Sequence, residues 1–327
     1  MLREKSREHE LEAIKLVLVK HDASWITHIP HMARLPSTLS FMGDDVTHEY
    51  ADDGPSAIRA AEVASRLLIA LRQPGAADAV RVPADQLRDR GDQMAHEAIT
   101  SLLREAHPQD AILSEEAADD PRRLRADRVW IIDPLDGTRE FGEQDDTGVW
   151  RDDFAVHVAL WERDHGLVLG VVGLPARGVI YSSDAPPEVP PSPEGALRIA
   201  VSRSRPPAFI AALEVAGSAT LVPMGSAGVK VMAVVSGEAD AYIHAGGQYQ
   251  WDSAAPVAVA LAAGLVATRL DGSPLRYNVP ELLLPDLVVC HPDRADEVRA
   301  LLDAAGFGPD GASGAGATGA SAAESAE

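Results

Sequence analysis

The chain is poor in cysteine, and this limits the compartments in which it is expected to work. Cys290 is the only cysteine among 327 residues, so an internal disulfide cannot form. Proteins without disulfides suit reducing compartments, which leads us to expect a cytoplasmic location. Because Cys290 follows the apolar run Leu287–Val289, we interpret it as a small core residue rather than a reactive thiol.

Long apolar segments are also missing. The N-terminus is charged from its first residues, and the first apolar run, Leu16–Val19, is too short for the hydrophobic part of a signal peptide. The most apolar stretch, Ala254–Ala267, is interrupted by Pro256 and Gly264 and falls short of the roughly 20 residues that span a bilayer. The sequence therefore predicts neither a targeting peptide nor a membrane partner.

Basic residues are outnumbered by acidic ones. The chain has 29 Lys and Arg against 50 Asp and Glu, a formal net charge of −21. Such a surface repels nucleic-acid backbones, so binding to a nucleic acid polymer is not expected. A small phosphorylated substrate would be repelled as well. Its site would need local positive charge from a metal ion, a helix N-terminus or a few Arg and Lys side chains.

Composition divides the chain into four parts. Residues 1–45 show no helical or strand period and are predicted to be a poorly ordered leader, whose four histidines match no standard metal site. Residues 308–327 are mostly Gly, Ala and Ser, and we predict a disordered tail. A segment with five prolines, Ala185–Glu194, separates an N-terminal α+β half (46–190) from a C-terminal α/β half (195–307).

Between the two ends, helix-like and strand-like patterns alternate, which predicts an α/β fold of layered helices and sheets. The helix-like segments are Ile58–Leu71, Asp92–Glu105, Pro207–Val215, Ala227–Val235 and Ser253–Ala263. The strand-like segments are Ala111–Leu113, Val129–Ile132, Phe154–Leu160, Leu167–Val172, Val179–Tyr181, Arg198–Val201 and Ala239–His244.

The strongest chemical signal is the segment Asp133–Thr138, which directly follows the apolar strand Val129–Ile132. Two carboxylates three residues apart, Asp133 and Asp136, can face one point across a turn, and the Leu135 carbonyl can join them. Hard oxygen ligands of this kind suit Mg²⁺. The segment therefore predicts a magnesium site at the end of the strand.

A phosphate position is predicted beside these acids. Gly137 and Thr138 would open a helix or turn whose free N–H groups can hold a phosphate oxygen. The alternative is an ordinary turn, since Pro and Asp-Gly are common turn formers.

Two further acids lie at the ends of predicted elements. Glu115 ends the neighbouring short strand, and strand ends in α/β proteins are where sites gather. Asp252 precedes the predicted helix start at Ser253, where a lone Asp would most simply be a helix N-cap. Brought together, the four acids would form a cluster whose mutual repulsion requires cations.

Three segments carry a resemblance to a known family. Ser114–Glu116, Trp130–Thr138 and Trp251–Pro256 resemble the motifs of the inositol monophosphatase-like superfamily of Mg²⁺-dependent, Li⁺-sensitive phosphatases. The resemblance covers roughly Ile58–Ala304. It extends to the branch of CysQ-type 3′(2′),5′-bisphosphate nucleotidases through the segments Leu135–Phe141 and Gly225–Lys230.

This resemblance implies alternating helix and sheet layers in two halves, and two or three Mg²⁺ ions in the active site. The implied metal ligands are Glu115, Asp133, the Leu135 carbonyl, Asp136 and Asp252. A Thr–Asp pair orients the attacking water in such enzymes, and Thr138 and Asp92 fit these two roles here. Because Asp92 stands at the head of its predicted helix, an N-cap is the alternative.

Substrate preference depends on a second set of residues. Inositol-specific members carry a sugar-binding Glu where this chain has His244–Gly247, whereas Val201–Arg205 resembles the nucleotidase Ser-Arg-Ser-His segment, with Arg205 in place of the His. Lys230 and Arg203 are candidates for a second phosphate by charge alone. The complete set of candidate phosphate- and substrate-binding residues is Gly137, Thr138, Ser202, Arg203, Arg205, Gly225, Ser226 and Lys230.

The sequence thus predicts hydrolysis of the 3′-phosphate of adenosine 3′,5′-bisphosphate to AMP in sulfur assimilation. One alternative is the same chemistry on inositol 1-phosphate or fructose 1,6-bisphosphate. A second is an inactive, phosphate-binding regulatory protein, although the complete set of acids argues against it. The oligomeric state is left open by the sequence.

Overall fold

A computed structural model describes residues 52–72, 83–215 and 217–308. The predicted leader, 1–45, and the predicted tail after residue 308 lie outside these ranges. Within them, no helix combines the length and the apolar composition needed to cross a membrane.

The N-terminal half is built on a five-stranded sheet in the order β1-β2-β3-β4-β5. β1 pairs in parallel with β2, and the remaining neighbours are antiparallel. The strands are β1 (Ala111–Ser114), β2 (Arg128–Asp136), β3 (Ala155–Glu162), β4 (Gly166–Leu174) and β5 (Val179–Ser182). The helices of this half are α1 (Asp53–Arg72), α2 (Ala84–Ala106) and the single turn α3 (Thr138–Phe141).

The C-terminal half carries a second sheet in the order β7-β6-β8-β10-β9. β6 pairs in parallel with both β7 and β8, and β10 pairs antiparallel with β8 and β9. The strands are β6 (Leu197–Ser202), β7 (Ala219–Met224), β8 (Ala241–Tyr249), β9 (Val266–Thr268) and β10 (Leu283–Cys290). The helices are α4 (Ala208–Val215), α5 (Ala227–Val235), α6 (Gln250–Ala262) and α7 (Ala295–Leu302).

The two sheets and three helix layers alternate, and β2 shows why. Successive side chains of a strand point to opposite faces, so Trp130 and Ile132 join the core beneath α1 and α2. Val129 and Ile131 join a second core that includes α5, α6 and the inner face of the other sheet. A third core lies between that sheet and helices α4 and α7. The predicted layered α/β fold is confirmed.

The position of Asp92 corrects a prediction. Helix α2 begins at Ala84, so Asp92 lies inside the helix and is not an N-cap. The sequence pattern failed because residues 84–91 are mostly polar, and only Leu87 and Gly91 among them are buried. Gly91 lets α2 pack closely against Phe141, because a Cβ at this position would lie 2.7 Å from the ring of Phe141.

Two other element ends differ from the predictions. Strand β2 continues to Asp136 instead of stopping at Asp133, and the predicted turn is an irregularity in its pairing with β3. Helix α6 begins at Gln250, so Asp252 is its third residue and not its N-cap.

Strands β7, β9 and β10 and helix α7 were not predicted. β9 has only three residues, and β7 and β10 each contain a proline, which normally argues against a strand. In β10, Pro285 lies where the register with β8 shifts between Leu284 and Asp286, so the ladder loses no regular hydrogen bond there. The division of the chain near Ala185–Glu194 stays a prediction.

The close approach at Gly91 gives a first test. Gly91→Ala should destabilise the protein by about 1–2 kcal/mol, because the strain against buried Phe141 exceeds the gain in helix propensity. Urea unfolding measures the change. Ser101→Ala, on the exposed side of the same helix, is the control and should leave stability unchanged or slightly higher. Equal stability of Gly91→Ala and the parent chain would contradict this packing.

Candidate active site

Two parallel strands bring the first acids together. Ser114 of β1 pairs with Ile132 of β2, so Glu115 and Asp133 follow side by side at the same sheet edge. Burial raises the pKa of the Glu115 carboxyl, and its contact with Asp133 opposes this shift. Asp133 is 1% exposed, and its Oδ1 also accepts the N–H of Leu135 at 3.0 Å.

Asp136 is held by the C-terminal half of the chain. Its Oδ2 accepts the Ser226 hydroxyl at 2.5 Å and the Gly228 N–H at 2.7 Å. Both donors lie at the N-terminus of α5, where unpaired N–H groups and the helix dipole favour an anion. The contact therefore fixes the end of β2 against the opposite half of the fold.

Asp252 completes the acidic group from α6. Its Oδ2 accepts the Tyr249 N–H at 2.7 Å, and this orients the carboxylate at the first turn of the helix. Burial and the charges of Asp136 and Glu115 raise the pKa of Asp252 to about 8. Burial, followed by the charges of Glu115, Asp136 and Asp252, raises the pKa of Asp133 well above its usual range.

These carboxylates fit a divalent cation by their chemistry. Among the residues that the structure describes, no three His, Cys, Asp or Glu side chains stand close enough together to hold a metal ion without adjustment. Burial is the main cause of the raised pKa values of Asp133 and Asp252, and the charges of the neighbouring acids add to it, an effect that a cation would oppose. Carboxylates and a carbonyl are also the ligands that Mg²⁺ prefers.

Thr138 and Asp92 lie in different helices, and their side chains form a hydrogen bond. Thr138 is the first residue of α3, and its Oγ1 lies 3.2 Å from Asp92 Oδ1 and 3.0 Å from the Leu135 carbonyl. Burial is the main cause that raises the pKa of Asp92 to about 7, and the Glu116 charge adds to it. Asp92 is thus poised to gain or lose a proton near neutral pH.

Gly137 makes the sharp turn between β2 and α3. Its φ of 89° is in the left-handed region, and a Cβ there would lie 3.2 Å from Ser226 and 3.3 Å from the backbone of Phe154. A side chain at this position would press against Ser226 and against the backbone of Asp153 and Phe154. The glycine is therefore needed for close packing as well as for the turn.

A cleft of about 500 Å³ opens beside Asp136 and Asp252. It contains most of the predicted substrate residues and several that the sequence did not indicate. The predicted residues in its wall are Ser202, Arg203, Arg205, Gly225, Ser226 and Lys230. The additional ones include Arg139, Glu140, Tyr242, His244 and Gln248.

The two cations predicted to bind a second phosphate have protein partners. Lys230 is buried, and its Nζ donates to the carbonyls of Gly225 at 2.9 Å and Ser226 at 2.6 Å. Arg203 Nη2 contacts Glu140 Oε1 at 2.8 Å and Glu143 Oε2 at 2.5 Å. Arg203 can therefore serve a ligand only by sharing or leaving these carboxylates.

Three predicted residues around the cleft have simpler surroundings. Ser202 Oγ accepts the N–H of Arg205 at 3.3 Å, and Arg205 is exposed. Gly225 donates its N–H to Asp153 Oδ2 at 2.7 Å, which holds the loop that leads into α5. None of these contacts removes the polar groups of Ser202 or Arg205 from a bound ligand.

His157 connects the acids in a way that the sequence did not reveal. It is fully buried, its Nδ1 donates to the Trp251 carbonyl at 3.2 Å, and its Nε2 lies 3.4 Å from Asp136 Oδ2. Burial lowers the pKa of His157, and the charge of Asp136 opposes this shift. A lone histidine within an apolar strand gives no signal of such a contact, because its partners lie on other elements.

The alternating layers, with acidic side chains at strand and helix ends beside a cleft, place the chain among the layered α/β proteins with an acidic site. Residues 56–303 match the inositol monophosphatase family, and the chain belongs to this family. The membership predicted from the sequence motifs is confirmed.

Individual relatives share much of the chain. A Mycobacterium bovis protein named 3′-phosphoadenosine 5′-phosphate phosphatase is 51% identical over 229 residues, which cover 67% of this chain and 81% of the relative. A Mycobacterium leprae protein of the same name is 48% identical over 254 residues, with 74% and 90% covered. The crystal structure of CysQ from Bacteroides thetaiotaomicron matches with a TM-score of 0.63 and 27% identity, over 74% of this chain and 97% of that one.

The mutual repulsion of the acids gives a second test. Because the pKa of Asp252 rises from its ordinary 3.8 to about 8 in the fold, the metal-free protein should lose stability as the pH rises between these values. Asp252→Asn keeps an acceptor for the Tyr249 N–H and removes the charge. It should raise the metal-free melting temperature at pH 8 by about 2–4 °C for each 1 kcal/mol of repulsion removed.

Differential scanning calorimetry without and with Mg²⁺ measures this effect. Asp164→Asn, which removes an exposed acid, is the matched control and should change neither curve. The Mg²⁺-induced stabilisation should shrink in Asp252→Asn alone. A metal-free Asp252→Asn protein that is no more stable than the control at pH 8 would refute the repulsion.

Proposed function

We propose that the chain is a Mg²⁺-dependent 3′(2′),5′-bisphosphate nucleotidase, which converts adenosine 3′,5′-bisphosphate to AMP and phosphate. The observation that carries the chemistry is the Thr138–Asp92 pair, 3.2 Å apart beside the carboxylates of β2. The substrate is supported by the relatives named 3′-phosphoadenosine 5′-phosphate phosphatase, at 51% and 48% identity. We place the reaction in the cytoplasm and in sulfur assimilation.

The residues that would hold two or three Mg²⁺ ions are Glu115, Asp133, the Leu135 carbonyl, Asp136 and Asp252. Bound there, Mg²⁺ would neutralise the acids and the substrate phosphate and would lower the pKa of a water molecule. A bound cation would lower the raised pKa values of Glu115 and Asp133, because it favours the ionised carboxylates.

Thr138 and Asp92 would position the attacking water. Thr138 Oγ1 faces two acceptors, Asp92 Oδ1 and the Leu135 carbonyl, and has one proton to donate between them. Its lone pairs remain to accept a hydrogen bond from water. A pKa of about 7 suits Asp92 to take a proton through Thr138 while the water attacks phosphorus in line with the leaving oxygen.

The scissile phosphate would lie against Gly137 and Thr138, and the second phosphate would lie near the loop at Gly225 and Ser226. Lys230 contributes positive charge beneath that loop, because its ammonium group is within 2.9 Å of both loop carbonyls. The second phosphate would lie toward Ser202, Arg203 and Arg205 in the cleft wall. The partner is thus a small phosphorylated molecule.

The water-positioning roles give a third test. Thr138→Ala and Asp92→Asn should each lower kcat by about 10²–10⁴, the usual loss when a proton-transfer group is removed. Thr138→Ser keeps the hydroxyl and should retain most of the activity. Phosphate release measures kcat, and calorimetric titration with Mg²⁺ measures metal binding. Loss of Mg²⁺ affinity as the main defect would show that these residues hold the metal instead.

The substrate proposal gives a fourth test. A phosphate-release panel at saturating Mg²⁺ should give a higher kcat/KM for adenosine 3′,5′-bisphosphate than for inositol 1-phosphate or fructose 1,6-bisphosphate. Arg203→Ala or Lys230→Ala should depress nucleotide turnover more than inositol phosphate turnover, because the second phosphate helps to position the scissile one. Li⁺ should inhibit the activity.

The panel also separates the alternatives. A kcat/KM for inositol 1-phosphate or fructose 1,6-bisphosphate at or above the nucleotide value would reassign the substrate and leave the chemistry intact. Release of no phosphate from any substrate would favour the inactive, phosphate-binding protein.

A further inference from the structure

An amide group in the cleft wall lacks a protein partner. Gln248 is 5% exposed, and both its Oε1 and its Nε2 are buried without a hydrogen bond from the protein. Buried amide groups in folded proteins almost always have partners. Gln250, two residues away, shows the usual pattern: it accepts the Asn278 N–H at 2.6 Å and donates to two backbone carbonyls.

The backbone around Gln248 is well fixed. Gly246 and Gly247 have φ values of 110° and 90°, and they form the turn at which β8 shifts register against β10. His244 Nε2 donates to the Gly247 carbonyl at 2.8 Å, which holds this turn from the cleft side. A Cβ at Gly246 would meet no atom within 4 Å, so space is open beside the turn.

Gln248 also lies close to the acidic site along the chain. Asp252 follows it by four residues, across the junction of β8 and α6, and both line the same cleft. The volume of about 500 Å³ exceeds what one phosphate group needs and is within the range of sites for nucleotide-sized ligands. A ligand whose phosphate is beside Asp252 can therefore extend to Gln248.

We propose that Gln248 recognises the base of the substrate, with its carbonyl oxygen accepting from a 6-amino group and its NH₂ donating to the adjacent ring nitrogen. This inference rests on the proposed nucleotidase function. A carboxamide pairs with adenine through one donor and one acceptor at once, as in protein–DNA contacts. Because the amide has no partner to lose, turning it toward the base breaks no hydrogen bond.

Other parts of the substrate match the amide less well. A phosphate oxygen only accepts hydrogen bonds, so it would leave Gln248 Oε1 unpaired. A single ribose hydroxyl can satisfy one amide atom and leave the other without a partner. Only the edge of an aminopurine presents a donor and an acceptor side by side, which accounts for both unpaired atoms.

Three substrates with the same two phosphates test the inference. They are adenosine 3′,5′-bisphosphate, the purine ribonucleoside analogue without the 6-amino group, and ribose 3,5-bisphosphate without a base. The parent chain should prefer adenosine to the purine analogue by about 5- to 150-fold in kcat/KM, the range expected for a bidentate base contact. This comparison uses the unmodified protein and does not depend on how a variant folds.

Gln248→Met then assigns the preference to the amide, because it keeps the length of the side chain and removes both polar atoms. The preference for adenosine over the purine analogue should disappear, mainly through KM, and turnover of the baseless substrate should change by less than about twofold. The exposed replacement Gln86→Met is the control and should keep the preference of the parent chain.

The outcomes distinguish the role of Gln248 in base recognition from the nucleotidase function itself. An unaltered preference in Gln248→Met, or an equal loss on all three substrates, would overturn the assignment of Gln248 to the base. Equal kcat/KM values of the parent chain for all three substrates would also overturn it, but would leave the nucleotidase function in place. Phosphate release from none of them would contradict the proposed function itself.

Discussion

The repulsion among buried carboxylates at the end of β2 is the constraint on which the rest of the site depends. Each acid has a contact that fixes its position without neutralising it: Asp136 accepts from Ser226 and Gly228, and Asp252 from the Tyr249 N–H. Burial is the main cause that raises the pKa values of Glu115, Asp133 and Asp252, and charges of neighbouring acids add to each shift. The fold therefore orients acids that oppose one another's ionisation, which is the chemistry expected of a cation site.

The layered arrangement is what allows such a group to form. Carboxylates repel one another in the unfolded chain and would not gather on one flexible segment. Here the ends of β1 and β2 supply three acids from one sheet, and α6 supplies Asp252 from a helix between the sheets. The N-terminus of α5 holds Asp136 from the other half. Burial of the shared apolar core thus provides the free energy that holds the acids together.

The sequence predicted the site residues whose positions follow from the ends of strands and helices. It did not predict positions and contacts that depend on residues far apart in the sequence. Glu115 and Asp133 could be placed together because parallel strands end at one edge. Asp92 was assigned to a helix start because the polar first turns of α2 hide the true one. The carboxylates that contact Arg203 lie 60 and 63 residues away in the sequence. The lack of a hydrogen-bond partner for the Gln248 amide can be recognised only in the folded structure.

The contacts of the cleft cations show how a chain of net charge −21 keeps basic side chains in the wall of an acidic site. Arg203 is kept in the wall by Glu140 and Glu143, and Lys230 by two carbonyls, so neither side chain must be ordered when the ligand arrives. A carbonyl does not cancel the ammonium charge, whereas the two carboxylates at Arg203 do. Lys230 therefore supplies standing positive potential, and Arg203 supplies charge only to a ligand that outcompetes its carboxylates. If the proposed function is right, that difference would make Arg203 the contact that depends more strongly on the charge of the ligand.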